Sequence, residues 1–340
     1  MKKAGIFTEH FNSIGGGTVH SFKLIEFLKP YYDIDVYLTG VPQTKIWMNI
    51  FLGLDTKGLN FHRFKPEGIS KKYDLFLNIS HWRIIEINAK KKFAVVFFPQ
   101  YFFPNYDYKF LANSEYTKKN IIDRWQISKD RVKVLYPPIM TKEFEPSLKK
   151  TNSIIHVSRI AYPRPEADKG HRQMIEAFKK IHDKGYEWTF HIVGQVHDKN
   201  YYLELKNLAK NYPIFFHIGI SFNKLKKLYS EAKIYWHLTG ITMPNIPSAQ
   251  EHFGMAIVEA MAAGCVPVCL NTGGVKEIIT DKVNGFLIEN TTQLINRTLR
   301  LIENKNRIFE NKSDLALKMA KDFDEEKIKE NFYNIINGKS

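Results

Sequence analysis

Residues 251–274 read EHFGMAIVEAMAAGCVPVCLNTGG. An apolar run holding one carboxylate and closed by Gly264 predicts a helix from about 254 to 263. Glu259 then lies one turn beyond Met255, on the same helical face. A carboxyl group beside Ala260, Met261, Ala262 and Ala263 is costly unless it has a partner, and a ribose diol is such a partner. Glu251 falls in the loop ahead of this helix. The backbone N–H groups of Phe253, Gly254 and Met255 at the helix start suit phosphate oxygens. The run 266–270 is the next strand, and Asn271-Thr272-Gly273-Gly274 is a small turn feeding a short helix at 275–279.

The same alternation extends outward. Upstream in this half, strands are expected at 153–158, 188–193, 214–218 and 234–238, with helices at 170–183, 201–210 and 222–232. The first half repeats the theme. It has strands at 4–8, 34–38, 75–79, 93–98, 109–112 and 132–135, and helices at 18–28 and 116–125. Alternating strands and helices imply parallel sheets covered on both faces. Pro137-Pro138 stops regular structure, and the polar stretch 141–152 reads as a linker. The expectation is therefore an α/β protein of two Rossmann-like domains. The first covers residues 1–140 and the second 150–324, with a last helix at about 325–338 packing back on the first.

In open α/β sheets ligands bind beyond the carboxyl ends of the strands. Besides the block at 251–274, two turns qualify. Gly15-Gly16-Gly17 follows the first strand and opens the first helix, where a close backbone and free N–H groups favour phosphate. It is neither the dinucleotide glycine pattern nor a Walker loop. Arg159 follows the strand at 153–158, and Lys169 precedes Gly170 and a helix; two cations there are suited to a diphosphate leaving group.

The block Glu251-x7-Glu259, with NGFLI at 284–288, resembles the family-4 retaining glycosyltransferases of the GT-B fold. Arg159 with Lys169-Gly170 is similar to that family's diphosphate clamp, LANSEYTKKNI at 111–121 to its N-terminal-domain helix, and LYPP at 135–138 to its interdomain segment. LYPP with EHFG also resembles the branch of lipid-linked-oligosaccharide mannosyltransferases. The resemblance implies two Rossmann-like domains facing across a cleft and transfer of a hexose from a UDP- or GDP-sugar to a hydroxyl of a glycan or lipid-linked acceptor. It implies that Glu259 holds the donor ribose and Glu251 touches the transferred sugar. Arg159 and Lys169 stabilise the departing diphosphate, and residues 15–17 cover the phosphates. Thr272 and Gly273 join the donor-binding set with Phe253, Gly254 and Met255. No metal or other cofactor is implied, since the two cations do the work of a divalent ion. Two departures matter: the loop between Arg159 and Lys169 is long, so that Arg164 competes for the clamp role, and Phe97-Phe98 stand where many members carry a histidine, leaving His81 as the substitute.

The charge balance narrows the partners. The chain of 340 residues carries a net charge of +15; residues 1–150 hold 24 Lys/Arg against 14 Asp/Glu, or +10, and the remainder 26 against 21, or +5. A positive field selects anionic partners, among them nucleotide phosphates, lipid diphosphates and acidic membrane. No RNA-binding motif accompanies the charge, so no nucleic acid partner is expected. Rival readings are an epimerase or phosphorylase of the same fold, or a basic binding protein without catalysis. The residues after Met1 read as a first strand, no run reaches membrane-spanning length, and Cys265 and Cys269 are too far apart on a strand to bridge. The expectation is a cytoplasmic protein, peripheral on the inner face of a membrane. Residues 46–52 (IWMNIFL), with Tyr101, Phe102 and Phe103, are the apolar contacts expected there. The protein should then co-sediment with anionic but not neutral vesicles at low salt, and release as salt rises, because such attachment is worth about 1 kcal/mol per basic residue and is screened. Equal recovery with both vesicle types removes the membrane from the reading.

Overall fold

The computed structural model describes residues 1–11, 15–39, 55–65, 69–80, 83–99, 107–164, 167–303 and 307–339. The chain divides into two compact units, Met1–Pro138 with Glu325–Ser340, and Ile139–Asp324.

Unit 1 is built on β1 (Lys2–Thr8), β2 (Tyr32–Leu38), β3 (Asn60–Arg63), β4 (Tyr73–Ile79), β5 (Ala89–Val96), β6 (Lys109–Ala112) and β7 (Val132–Val134). They form one sheet in the order β3-β2-β1-β4-β5-β6-β7, with every pairing parallel. Successive side chains point to opposite faces, so β1 sends Ala4 and Ile6 to one core and Phe7 to the other. The first core is closed by α1 (Gly16–Leu28) and α9 (Glu325–Asn337), through Phe22, Ile25, Ile328 and Phe332. Lys23 of α1 bridges Glu26 and Glu325 at 2.9 and 2.8 Å and ties the two helices. The second core is closed by α2 (Glu115–Trp125), whose Trp125 packs edge-on against Phe110.

Unit 2 carries β8 (Thr151–Val157), α3 (His171–His182), β9 (Thr189–Gly194), α4 (Lys199–Leu208), β10 (Ile214–Ile218), α5 (Phe222–Glu231) and β11 (Ala232–His237). After these come α6 (Met255–Ala262), β12 (Val266–Leu270), β13 (Phe286–Ile288), α7 (Thr291–Glu303) and α8 (Arg307–Ala320). Its parallel sheet has the order β10-β9-β8-β11-β12-β13. That is the doubly wound Rossmann order, with its switch point between β8 and β11. The buried residues of the central strands β8, β11 and β12 are mostly apolar, as burial on both faces demands.

Four elements were not legible from the pattern: β3, β13, α7 and α8. β3 is a half-exposed edge strand of four residues. The segment expected as a short helix at 275–279 is a 3-10 turn at Gly273–Glu277. The supposed linker is structured. Residues 141–143 form a 3-10 turn, Phe144 is buried against Phe222 and Tyr229, and β8 already begins at Thr151. Lys150 explains why. Its ammonium donates to the carbonyls of Ser230, Ala232 and Ala263 at 3.0, 2.6 and 2.7 Å, pinning the start of β8 to the ends of α5 and α6. Hydrogen bonds from a charged donor are each worth about 1.5–3 kcal/mol. Lys150→Met should therefore lower unfolding free energy by about 3 kcal/mol, read from the denaturant midpoint; a loss below about 0.5 kcal/mol would mean that the staple carries no load.

Candidate functional site

The site grows from the carboxyl ends of β8 and β11. Past β8, Arg159 is exposed, and its charge and that of Lys169 are close enough to oppose each other. Asp168 is buried and organises the turn. Its carboxylate accepts from the Thr242 amide and hydroxyl at 3.0 and 2.7 Å and from the Gly170 amide at 3.2 Å, while its carbonyl accepts from the Gly240 amide. The start of α3 is thereby tied to the loop that follows β11. Gly170 caps α3 with φ +68°, and a Cβ there would lie 2.6 Å from Leu238 Cβ, so no other residue fits.

This turn aims Lys169 at Glu251. Lys169 Nζ stands 3.7 Å from Glu251 Oε2 and donates to Thr239 Oγ1 at 3.3 Å. On the other side, His237 Nε2 lies 2.9 Å from the same carboxylate oxygen and 2.8 Å from Thr239 Oγ1. Burial pushes the Glu251 carboxyl up, but the Lys169 charge and the His237 hydrogen bond override it and hold the group well below the ordinary carboxylate range. The Glu251 backbone is fixed as well: its carbonyl accepts from the Gly274 amide at 2.8 Å. A Cβ on Gly273, which has φ +52°, would meet that carbonyl at 2.1 Å.

Glu259 lies on α6 in a different setting. Burial raises its carboxyl to about 7, and the Tyr229 hydroxyl, donating at 3.1 Å, only partly offsets this. Phe253 is buried and packs edge-on against Phe323, anchoring the loop rather than lining it. Gly254 caps α6, and Met255 and Glu259 share its half-buried face while Ile257, Val258 and Met261 face the core.

Residues 141–329 match the family described as glycosyl transferases group 1. The chain belongs to that family. Among curated relatives, the Xenopus laevis protein named GDP-Man:Man(3)GlcNAc(2)-PP-Dol alpha-1,2-mannosyltransferase is 32% identical over 197 residues, which is 53% of this chain and 38% of the relative. The matched stretch is thus well under half of that relative's length. A glycosyltransferase from Rickettsia africae superposes with a TM-score of 0.75 at 16% identity, covering 99% of this chain and 98% of the other. Anabaena HepE, crystallised with UDP-glucose, gives 0.73 at 18% identity, over 99% and 100%. At such identities the likeness is one of fold, the GT-B arrangement of two Rossmann-like domains.

Within unit 2 of this group 1 glycosyltransferase, Arg159, Lys169 and Glu251 converge, with Thr272 and Gly273 held against the Glu251 loop. Arg164 is exposed on the long loop, and its carbonyl accepts from the amides of Ala167 and Asp168. Of the expected donor-binding pair, the Gly273 amide donates to Gln250 Oε1 at 3.0 Å, and the Thr272 amide to the Leu270 carbonyl at 2.9 Å. The Gly273 amide thereby ties its turn to the loop carrying Glu251. In unit 1, Gly15 caps α1, with Gly16 and Gly17 as its first residues. Gly17 packs beneath His10 and Phe97, and the His20 ring lies 5.0 Å from Phe97. His81, Trp47, Phe51, Tyr101, Phe102 and Phe103 lie outside the described residues.

Sequence reasoning missed Asp168, Tyr229 and His237, whose partners are remote in the chain. It also passed over Asp33-Ile34-Asp35, an Asp-x-Asp in β2. There Asp35 is occupied by His62 at 2.7 Å, Lys71 at 3.0 Å and the Tyr73 hydroxyl at 2.9 Å. Among the described residues no group of three or more His, Cys, Asp or Glu is arranged to hold a metal.

The contrast between the two glutamates is measurable. Carboxyl NMR should find Glu259 titrating near 7 and Glu251 ionised throughout the folded range. Tyr229→Phe removes the hydrogen bond that favours the ionised form and should move the Glu259 midpoint upward. An unchanged midpoint would remove Tyr229 as its partner.

Proposed function

We propose that this group 1 glycosyltransferase moves a hexose from a nucleoside-diphosphate sugar to a hydroxyl, with retention at the anomeric carbon and without a metal. GDP-mannose is the favoured donor and a lipid-linked glycan the favoured acceptor, following the name of the relative cited above. Residues 139–324 take the donor and residues 1–138 the acceptor, at the cytoplasmic face of a membrane. No helix among the described residues is long and apolar enough to cross a bilayer, so the contact with a lipid-linked substrate is peripheral in this reading.

The observation that carries the proposal is the Glu251 carboxylate, fixed between Lys169 and His237 at the switch point of a Rossmann sheet. A fixed carboxylate there suits the hydroxyls of the transferred sugar. Lys169 and Arg159 then face the diphosphate, where negative charge grows as the glycosidic bond breaks. Glu259 receives the ribose diol. Two hydroxyls donating to it favour the ionised form, so donor binding releases a proton at pH below about 7. The glycine turn at residues 15–17 offers helix-start N–H groups to the phosphates.

A thermal-shift panel of GDP-mannose, UDP-glucose, GDP and UDP tests the reading, since a ligand that binds only the native state raises Tm by mass action. GDP-mannose should give the largest shift. Glu259→Ala should weaken its binding about tenfold or more, and wild-type affinity should rise between pH 6 and 8. Lys169→Ala should lower turnover about 10²-fold, with Arg164→Ala near wild type. No shift with any sugar nucleotide sinks the proposal, and a dead Arg164→Ala beside an active Lys169→Ala reassigns the clamp.

A further inference from the structure

The proposed chemistry gives His237 no contact with the donor, yet the structure invests heavily in it. It is the last residue of β11, 3% exposed, and both ring nitrogens are engaged. Nε2 faces Glu251 Oε2 at 2.9 Å and Thr239 Oγ1 at 2.8 Å, while Nδ1 faces the Tyr235 hydroxyl at 3.3 Å. The proton on Nε2 can be placed. An ionised carboxylate only accepts, so Nε2 carries the hydrogen and donates it to Glu251. On the other side of the ring, Nδ1 lies 3.3 Å from the Tyr235 hydroxyl, which supports it.

Resting on the assignment of Glu251 to the transferred sugar, we propose that His237 is its positioning residue: the Nε2–H donor, locked by Tyr235 from below, fixes the carboxylate rotamer that meets the sugar hydroxyls. Lys169 does not replace it. At 3.7 Å its ammonium supplies charge without a close hydrogen bond to that oxygen, and it donates instead to Thr239. Without His237 the carboxylate is free to turn toward Lys169 and to form a tight ion pair with the group meant for the diphosphate. His237 therefore keeps the two charges of the site apart as well as fixing one of them.

Two measurements test the proposal. The first needs no ligand. With histidine-selective 15N labelling, the His237 imidazole, assigned by its absence in His237→Gln, should show a protonated Nε2; an unprotonated Nε2 overturns the proposal. The second uses GDP-mannose and GDP as calorimetric probes, with UDP-glucose and UDP as the alternative pair. His237→Ala should weaken the sugar nucleotide about tenfold and the free nucleotide far less, so that discrimination between the two shrinks. His237→Gln, whose amide presents a donor at the Nε2 position, should restore most of it. If His237→Ala weakens both ligands alike, or only lowers Tm, His237 is structural and the proposal fails. Glu251→Gln separates this failure from that of the underlying assignment. Discrimination that survives Glu251→Gln removes Glu251 from the sugar; discrimination lost there but kept in His237→Ala removes only the positioning role.

Discussion

Taking an ionised carboxylate out of water costs several kcal/mol unless opposite charge and hydrogen-bond donors are already in place. Glu251 meets that demand with groups from separate parts of the chain. Lys169 comes from the turn before α3 and His237 from the end of β11. The Gly274 amide, from the turn after β12, holds the loop itself. These elements meet only because the sheet runs β8-β11-β12, with α3 starting over the switch point. The Asp168 hydrogen bonds and the left-handed Gly170 fix the height at which α3 begins, and hence where Lys169 points. Much of the geometry around the switch point of unit 2 serves to hold one partly buried anion ionised.

The second glutamate shows what happens without that company. Glu259 is the same residue type, eight positions on, and is also shielded from water. Its partner is a neutral phenol, Tyr229, so burial wins and the carboxyl rises to about 7. One carboxyl is held ionised by its neighbours; the other is raised by burial with only a phenol beside it. The two settings are joined beneath the site. Tyr235, which supports His237, has its ring 6.2 Å from that of Tyr229, which supports Glu259. Strand β11 and helix α5 thus carry supporting side chains for both glutamates.

In unit 1 the parallel sheet sorts charge by position. Strand interiors are covered on both faces, so lysines survive at strand beginnings. Lys2, Lys3, Lys90, Lys91, Lys109 and Lys133 are exposed at or near the amino ends of β1, β5, β6 and β7. The glycine turn lies at the opposite, carboxyl end of β1. These six lysines are therefore separate from the phosphate-suited turn.

The sequence by itself determined the elements whose forces are local. Short apolar runs marked most strands, Gly264 marked the end of α6, and a lone glutamate in an apolar helix marked a carboxyl needing a partner. It determined the switch-point turns too, because glycines and cations before a helix carry their reason in adjacent residues. Only the tertiary structure decided who the partners are. His237 and Glu251 are fourteen residues apart, Tyr229 and Glu259 thirty, Asp168 and Thr242 seventy-four. No periodicity spans such distances, and a buried histidine or tyrosine looks the same in sequence whether it packs or positions. β3 and β13 escaped for a related reason. NFHR at β3 is a half-exposed edge with no apolar run, and FLI at β13 follows directly on Asn284-Gly285; each exists because a neighbouring strand offers its edge.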